Sequence, residues 1–305
     1  MRKIIIGGVC AALILTACGG DSPDQSGRGS DAAKPAGNDR TYDVSGVKKV
    51  DEIANLLPSA IKDKGKLVIG ASIDYAPAEF RAADLQTPIG YEIDLGKALG
   101  KVLGVETEVS PGEFASLLPG IGSKYDLGIS AFTITDERTA SYTMISISEV
   151  GSSFAAKTGN PKGFDPANLC GKAIAVQNGT WQHEDLQMRT KKCTDGGMEP
   201  INVLVYSSHS DAATNVIGGK ADAFYADSTV ASYASVLTNK QIEVVGDVID
   251  SAPQGIVVAK DDPALTEAVQ KAMQHLMDEG TYDKIMASWG TEGAALPKAE
   301  IYPKQ

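Results

Sequence analysis

The residues best equipped for chemistry stand close together between Tyr125 and Arg138, where Tyr125-Asp126-Leu127-Gly128-Ile129-Ser130-Ala131-Phe132 runs into Thr133-Ile134-Thr135-Asp136-Glu137-Arg138. Leu127 to Ser130 reads as a short buried strand. The chain then turns through Thr133, and Thr135 to Arg138 reads as a helix start with Thr135 as its cap. A strand that opens into backbone N–H groups, two threonine hydroxyls and a guanidinium suits the capture of a carboxylate. N–H groups at a helix start favour an anion, and a guanidinium grips both carboxylate oxygens at once. The plainer alternative is an ordinary strand–turn–helix with Arg138 solvated beside Asp136 or Glu137, where an ion pair is worth little.

The elements that must position these groups alternate in type. Val50, Ile53, Ala54, Leu57 and Ile61 have helical spacing, interrupted at Pro58. Lys66 to Ala71 reads as a strand, followed by irregular chain from Ser72 to Phe80. Gly90 opens a helix with Tyr91, Leu95, Ala98, Leu99, Val102 and Leu103 on one face, Val105 to Ser110 is a strand, and Phe114 to Ile121 a helix. A second alternating pattern begins after Gly151-Ser152-Ser153. It has strands at Ala173–Gln177, Asn202–Tyr206, Ala221–Tyr225 and Ile242–Val245. Between them lie helices from Thr180 through Met188, from Ser210 to Ile217, and from an Asp227-Ser228 start to Leu237. Ala252-Pro253-Gln254-Gly255 leads into another strand, Ile256–Ala259; Asp262 caps the next helix with Pro263 at its first position, and Gly280 follows its end. Such alternation predicts an α/β fold with a parallel or mixed sheet covered on both faces, and ligands beyond the carboxyl ends of the strands. Asp74-Tyr75, Phe114 and Thr133 to Arg138 all fall at those ends.

The chain of 305 residues is long enough for two domains, and 43% hydrophobic with 22% charged residues describes a globular protein with ample core. A net charge of −11 gives no sign of nucleic-acid binding and argues against a basic membrane-docking face. No dinucleotide, Walker, His-Glu-x-x-His or Gly-x-Ser-x-Gly pattern is present, and the three histidines show no metal-ligand spacing, so neither cofactor nor metal is expected. Arg2 and Lys3 precede an apolar run from Ile4 to Leu15, which is signal-peptide length and too short to span a bilayer. The run ends in Leu15-Thr16-Ala17-Cys18, which resembles the lipobox of bacterial lipoproteins and implies lipidation of Cys18, with residues 1–17 removed and 18–41 a flexible Gly/Ser/Asp/Pro-rich tether. Export to an oxidising compartment then leaves Cys170 and Cys193 as the pair for a disulfide.

From about Lys66 to Gly290 the chain resembles the polar amino-acid-binding family of bacterial extracellular solute-binding proteins, the receptors of ABC importers. The matching stretches are Tyr75-Ala76-Pro77-Ala78-Glu79-Phe80, Gly90-Tyr91-Glu92-Ile93-Asp94-Leu95, Phe114 through Gly120, Tyr125 to Gly128 and Thr133 to Arg138. Gly171 to Val176, Asn178-Gly179-Thr180 and Ala221-Asp222-Ala223 leading to Asp227 continue it. The resemblance implies the type II periplasmic-binding-protein fold, two α/β lobes joined by two crossing strands, with lobe one at residues 42–150 and 252–305 and lobe two at 151–251. It implies that Arg138 and Thr133 hold a ligand's α-carboxylate, that Asp227 holds its α-ammonium, and that Tyr75 and Phe114 sandwich its side chain. Thr180 and Trp181 would close from lobe two, with Ser72, Ala131 and Gln177 completing the pocket. Ser72 departs from members that bind lysine or arginine, which often carry an acid at that position; Asp74 either substitutes for it or faces solvent. The expected function is capture of a polar L-amino acid, neutral or basic, for delivery to a permease. The alternative, from relatives that dehydrate cyclohexadienyl acids, requires a buried general acid at the pocket.

Overall fold

The computed structural model describes residues 40–304; the expected signal peptide, Cys18 and the tether up to residue 39 lie outside them. Pro58 splits the leading helix into α1 (Asp51–Ala54) and α2 (Ser59–Lys64). Strand β1 (Lys66–Ala71) has its expected bounds. The chain after it is less irregular than its sequence reads: β2 (Asp74–Tyr75), β3 (Glu79–Arg81) and β4 (Pro88–Ile89) form a small antiparallel sheet. Gly90 then turns the chain into α3 (Tyr91–Leu103) at φ 134°, where a Cβ would meet the Ala78 carbonyl oxygen at 2.1 Å. This helix is buried almost all round, Glu92 and Asp94 included. One oxygen of the Asp94 carboxylate accepts hydrogen bonds from the Tyr42 N–H and the Trp289 indole, both at 2.9 Å, which offsets part of the cost of its burial.

Strand β5 (Glu106–Pro111) and α4 (Phe114–Leu117) follow; the helix predicted to run to Ile121 gives way at Pro119 to a tighter turn, Leu118–Gly120. Then come β6 (Leu127–Gly128), α5 (Asp136–Ser141) and β7 (Tyr142–Lys157). The second half contains β8 (Ala173–Gln177), α6 (Trp181–Asp195), β9 (Asn202–Tyr206), α7 (His209–Ile217), β10 (Ala223–Asp227) and α8 (Ser228–Leu237). Strand β11 (Ile242–Ala259) leads back to α9 (Pro263–Asp278), α10 (Thr281–Trp289) and β12 (Ile301–Tyr302).

The main sheet has the order β5-β1-β6-β11-β7-β10-β8-β9, with β12 added to β7. Strand β1 is parallel to β5 and β6, and β8 is parallel to β9 and β10, whereas β7 and β11 are antiparallel along nearly their whole length. One end of this long pair carries β6 and the other carries β10, so two strands run from one α/β half into the other. The sequence predicts two strands where β11 is one. Register shifts occur at Val245/Ile249, Ile249/Ala252 and Gln254/Gly255; the first takes up Gly246, while Pro253 stays paired with Glu149, so the strand does not end. The first half packs β1, α3, α9 and α10 around Leu67, Leu95, Leu99, Val269, Leu276 and Trp289. Part of the second packs around Phe154, Phe164, Ile174, Val176, Leu186 and Tyr225. There the expected disulfide joins Cys170 to Cys193 with Cα atoms 5.7 Å apart.

Candidate functional site

A narrow cavity between the halves is lined by Tyr75, Phe114, Ala131, Thr133, Arg138, Gln177, Thr180, Trp181, Gln182 and Asp227. The structure thus brings together every residue named from the sequence except Ser72, and adds Gln182.

Arg138 reaches the cavity from the first turn of α5, whose expected cap forms: the Thr135 hydroxyl accepts the Arg138 N–H at 3.2 Å. Its residue is only 6% exposed, which rules out a side chain lying in solvent beside Asp136. The guanidinium donates to the Thr133 carbonyl at 2.8 Å and, across the cleft, to the Gly179 carbonyl at 3.1 Å. Its central carbon lies 5.8 and 6.0 Å from the ring centres of Phe114 and Phe132, which stack on each other. Burial draws its pKa down from the usual arginine value, and Glu184, Asp227 and Glu137 oppose that. Gly179 makes this approach possible, for at its φ of 78° it sits against Ala115, where a Cβ would come within 3.0 Å.

Asp227 ends β10 on the opposite wall. It stands at the N-cap position of α8 but does not cap that helix with its side chain. Its two carboxylate oxygens accept from the Gln182 and Gln254 amides, each at 2.7 Å. Its N–H donates to the Tyr75 hydroxyl at 3.1 Å, a bond between the two halves. Burial pushes the Asp227 carboxyl up to about 6, against the pull of Gln254, Gln182, Tyr75 and Arg138. A buried cation, beside Phe114, and a buried anion, beside Tyr75, therefore both line one small cavity. Two opposite charges so placed are complementary to those of a zwitterion.

Ser72 lies behind the wall, not in it. Its hydroxyl donates to Asp74 at 2.9 Å, and Asp74 does not face solvent freely: its other oxygen accepts the His209 N–H at 2.9 Å. Gln177 points its amide at Ser72, at Asp74 and at the Ser207 carbonyl over 3.4–3.5 Å. Burial raises the Asp74 carboxyl, and these donors oppose the rise. Thr180 caps α6 by accepting the His183 N–H at 3.1 Å, so the first turn of that helix, Trp181 and Gln182, fronts the cavity.

Sequence reasoning missed the residues that support these walls. Gln254 lies in a stretch read as punctuation, and Gln182 carries no spacing signal. Behind Ala131 stand two fully buried glutamates: the Ser130 hydroxyl donates to Glu79 at 2.7 Å and the Ala131 N–H to Glu92 at 2.8 Å. Ala131 holds φ 46°, an unfavourable conformation for a residue with a side chain, fixed here by that bond. Burial pushes Glu79 well above the usual carboxyl range, with repulsion from Glu92 adding to it, and burial pushes Glu92 up to about 7. The pair thus retains a proton near neutrality.

The model of the bacterial extracellular solute-binding proteins, family 3, matches residues 67–292. Over 254 residues the chain is 38% identical to an arginine-binding protein of Corynebacterium glutamicum, covering 83% of each. It is similar to the structure of an ancestral arginine-binding protein bound to arginine, with TM-score 0.67, 31% identity and coverage of 74% of this chain and 98% of that one. It is also similar to an ancestral amino acid-binding protein described as a precursor of cyclohexadienyl dehydratase, with TM-score 0.68, 29% identity and coverage of 77% and 99%.

Proposed function

Since the chain belongs to the bacterial extracellular solute-binding proteins of family 3, a family of amino-acid receptors for ABC importers, we propose that its ligand is L-arginine or a closely similar basic amino acid. The observation that carries this reading is the opposed pair Arg138 and Asp227 on one cavity, with a further, partly buried carboxyl group, Asp74, beyond Gln177. In this reading Arg138 and the Thr133 and Thr180 region hold the α-carboxylate, Asp227 holds the α-ammonium, and Tyr75 and Phe114 flank the aliphatic stem. The side-chain cation is directed to Gln177 and, behind it, to the Asp74 carboxylate, which takes the place of the missing acid at Ser72. Relatives named for arginine support the choice.

Residues 42–150 with 252–305 and residues 151–251 act as the two lobes, bending about β7 near Glu149–Ser153 and β11 near Ser251–Gln254. Small-angle scattering should show the radius of gyration fall on adding arginine. The mature protein is tethered through lipidated Cys18 and hands its ligand to a membrane permease. Loss of radiolabelled palmitate on Cys18→Ser would support the anchor, and unchanged labelling would refute it.

Capture is favoured over dehydration because Asp227 is the one acid among the ten lining residues, and it is held by two amide donors. Glu79, whose raised pKa would suit a general acid, sits behind Ser130 and does not line the cavity. A thermal-shift screen of the amino acids tests the reading, since ligand at 100 times Kd adds about 2.7 kcal/mol of stability. Arginine should give the largest shift; a larger one from glutamate or leucine would refute the assignment. Turnover of arogenate or prephenate would establish the enzymatic reading instead.

A further inference from the structure

Gln254 occupies a peculiar place. Its backbone bridges to Thr133, and the flanking bonds, Ile134 N–H to Pro253 carbonyl at 2.8 Å and Gly255 N–H to Phe132 carbonyl at 2.9 Å, fasten the Thr133 turn to β11. Its side chain reaches the other way, donating to Asp227 at 2.7 Å while its amide oxygen lies 3.4 Å from the Ser148 hydroxyl on β7. One residue on a crossing strand thus supports both the wall that carries Arg138 and the carboxylate opposite it. Gln182 completes the arrangement from α6, donating to the other Asp227 oxygen and to the Ser152 hydroxyl at 2.9 Å. Both glutamines are nearly inaccessible, at 1% and 3% exposure.

We propose that Gln254 and Gln182 are positioning residues for ammonium recognition: two neutral amides, one on the crossing strand and one on the facing helix, hold Asp227 ionised and aimed into the cavity. A carboxylate has about four acceptor sites. The amides take one on each oxygen, which fixes the plane of the group and leaves the remaining lone pairs for a donor from the cavity. A neutral donor does this without adding a positive charge that would compete with the ammonium, as a lysine or arginine here would. Against burial, which favours the protonated acid, each amide stabilises the charged form. The other titratable groups facing Asp227 are the Tyr75 hydroxyl from β2, Arg138 from α5, and Glu92 and Tyr91 from α3; none is altered by changing the glutamines.

The inference rests on the proposed site, and its test separates the two. Gln254→Met and Gln182→Met keep the length of the side chain and remove the amide. The Asp227 carboxyl is first titrated by carbon-13 NMR in each ligand-free protein, and arginine affinity is then measured calorimetrically from pH 5 to 8.5. The wild-type carboxyl should titrate near 6, and affinity should fall as pH drops through that value, because the ammonium needs the carboxylate. In each variant the midpoint should rise by about one pH unit or more, the expected size for losing a hydrogen bond to a charged group. At pH 7 a one-unit rise from 6 leaves about half of the carboxyl ionised instead of about nine-tenths, so affinity should fall by about twofold, a deficit that narrows toward pH 8.5. Should a Met variant not fold, Gln254→Asn and Gln182→Asn, which draw the amide back by one carbon, should move the midpoint in the same direction. An unchanged Asp227 midpoint in the folded variants overturns the inference whatever the ligand. A normal shift in midpoint with no arginine binding by the wild type supports the role of the amides and refutes the ligand.

Discussion

Replacing Arg138 tests the anion end of the site most directly. The guanidinium is buried, lies against Phe114 and Phe132, and is held by the Thr133 and Gly179 carbonyls. Removing one member of a buried charged pair costs about 2–5 kcal/mol, much of it from leaving the other charge without a partner. At ~1.4 kcal/mol per tenfold, Arg138→Ala should weaken arginine binding by roughly 30-fold to several thousandfold. Arg138→Lys separates charge from geometry. An ammonium keeps the charge but offers no planar fork and no flat face for the aromatic rings. Loss of one charge-assisted hydrogen bond, about 1.5–3 kcal/mol, predicts a weakening of roughly tenfold to a hundredfold. Isothermal titration calorimetry at pH 7.5 gives both values, and melting of the ligand-free variants shows that the fold persists. If Arg138→Ala binds within about threefold of wild type, less than ~0.7 kcal/mol, the carboxylate assignment is wrong. If the alanine variant fails but the lysine variant matches wild type, charge alone matters and the bidentate geometry is refuted.

The other outcomes follow from neighbouring features. Asp74→Asn should lower affinity for arginine more than for glutamine, measured by competition calorimetry, and an equal loss for both would remove Asp74 from side-chain recognition. Glu92→Gln should raise the melting temperature at pH 8 relative to wild type and leave it little changed at pH 5. The sign follows from a folded pKa near 7 against the ordinary glutamate value of 4.5: stability from the retained proton is complete below the unfolded value and lost as pH rises through about 7. A wild-type melting point that rose between pH 5 and 8 while the variant matched it would contradict this. Reduction of Cys170–Cys193, whose sequence separation is 23, should cost about 3 kcal/mol, read as a lower denaturation midpoint in urea; no change on adding reductant would contradict the chain-entropy account.

Local patterns carried the regular elements and the charged ligand groups. Strand β1, the Thr135 cap and the Asp262–Pro263 helix start each follow from residues adjacent in sequence, and their hydrogen bonds are as expected. The opposed charges were legible because Arg138 and Asp227 stand at strand ends in a family whose motifs are recognisable. What escaped is non-local. Strand β11 crosses Gly246 and Pro253, which punctuate a sequence; here a register shift takes up Gly246, and Pro253 pairs with Glu149 within the ladder. Two- and three-residue strands such as β2 and β3 are too short to show a period. Glu92 falls on a helix whose apolar stripe suggests one solvated face, yet tertiary packing covers the whole cylinder. Gln182 and Gln254 became meaningful only when α6, β10 and β11 met around one carboxylate.

The sheet order also bears on how the chain is assembled. In the first half, β6 has β1 on one side and β11 on the other, with Leu127 paired to Val258. The first half therefore stays an incomplete sheet, with one edge of β6 open, until almost the whole second half has been added. The second half needs no later chain than β11 itself, and its β8–β9 and β8–β10 pairings are short-range by comparison. Because closing a longer loop costs more entropy, the inserted half should order first and the flanking half should dock last. For a chain synthesised from its N-terminus, the earliest of these elements to emerge are then among the last to be secured, and the open edge of β6 is the surface most exposed to mispairing in the interval.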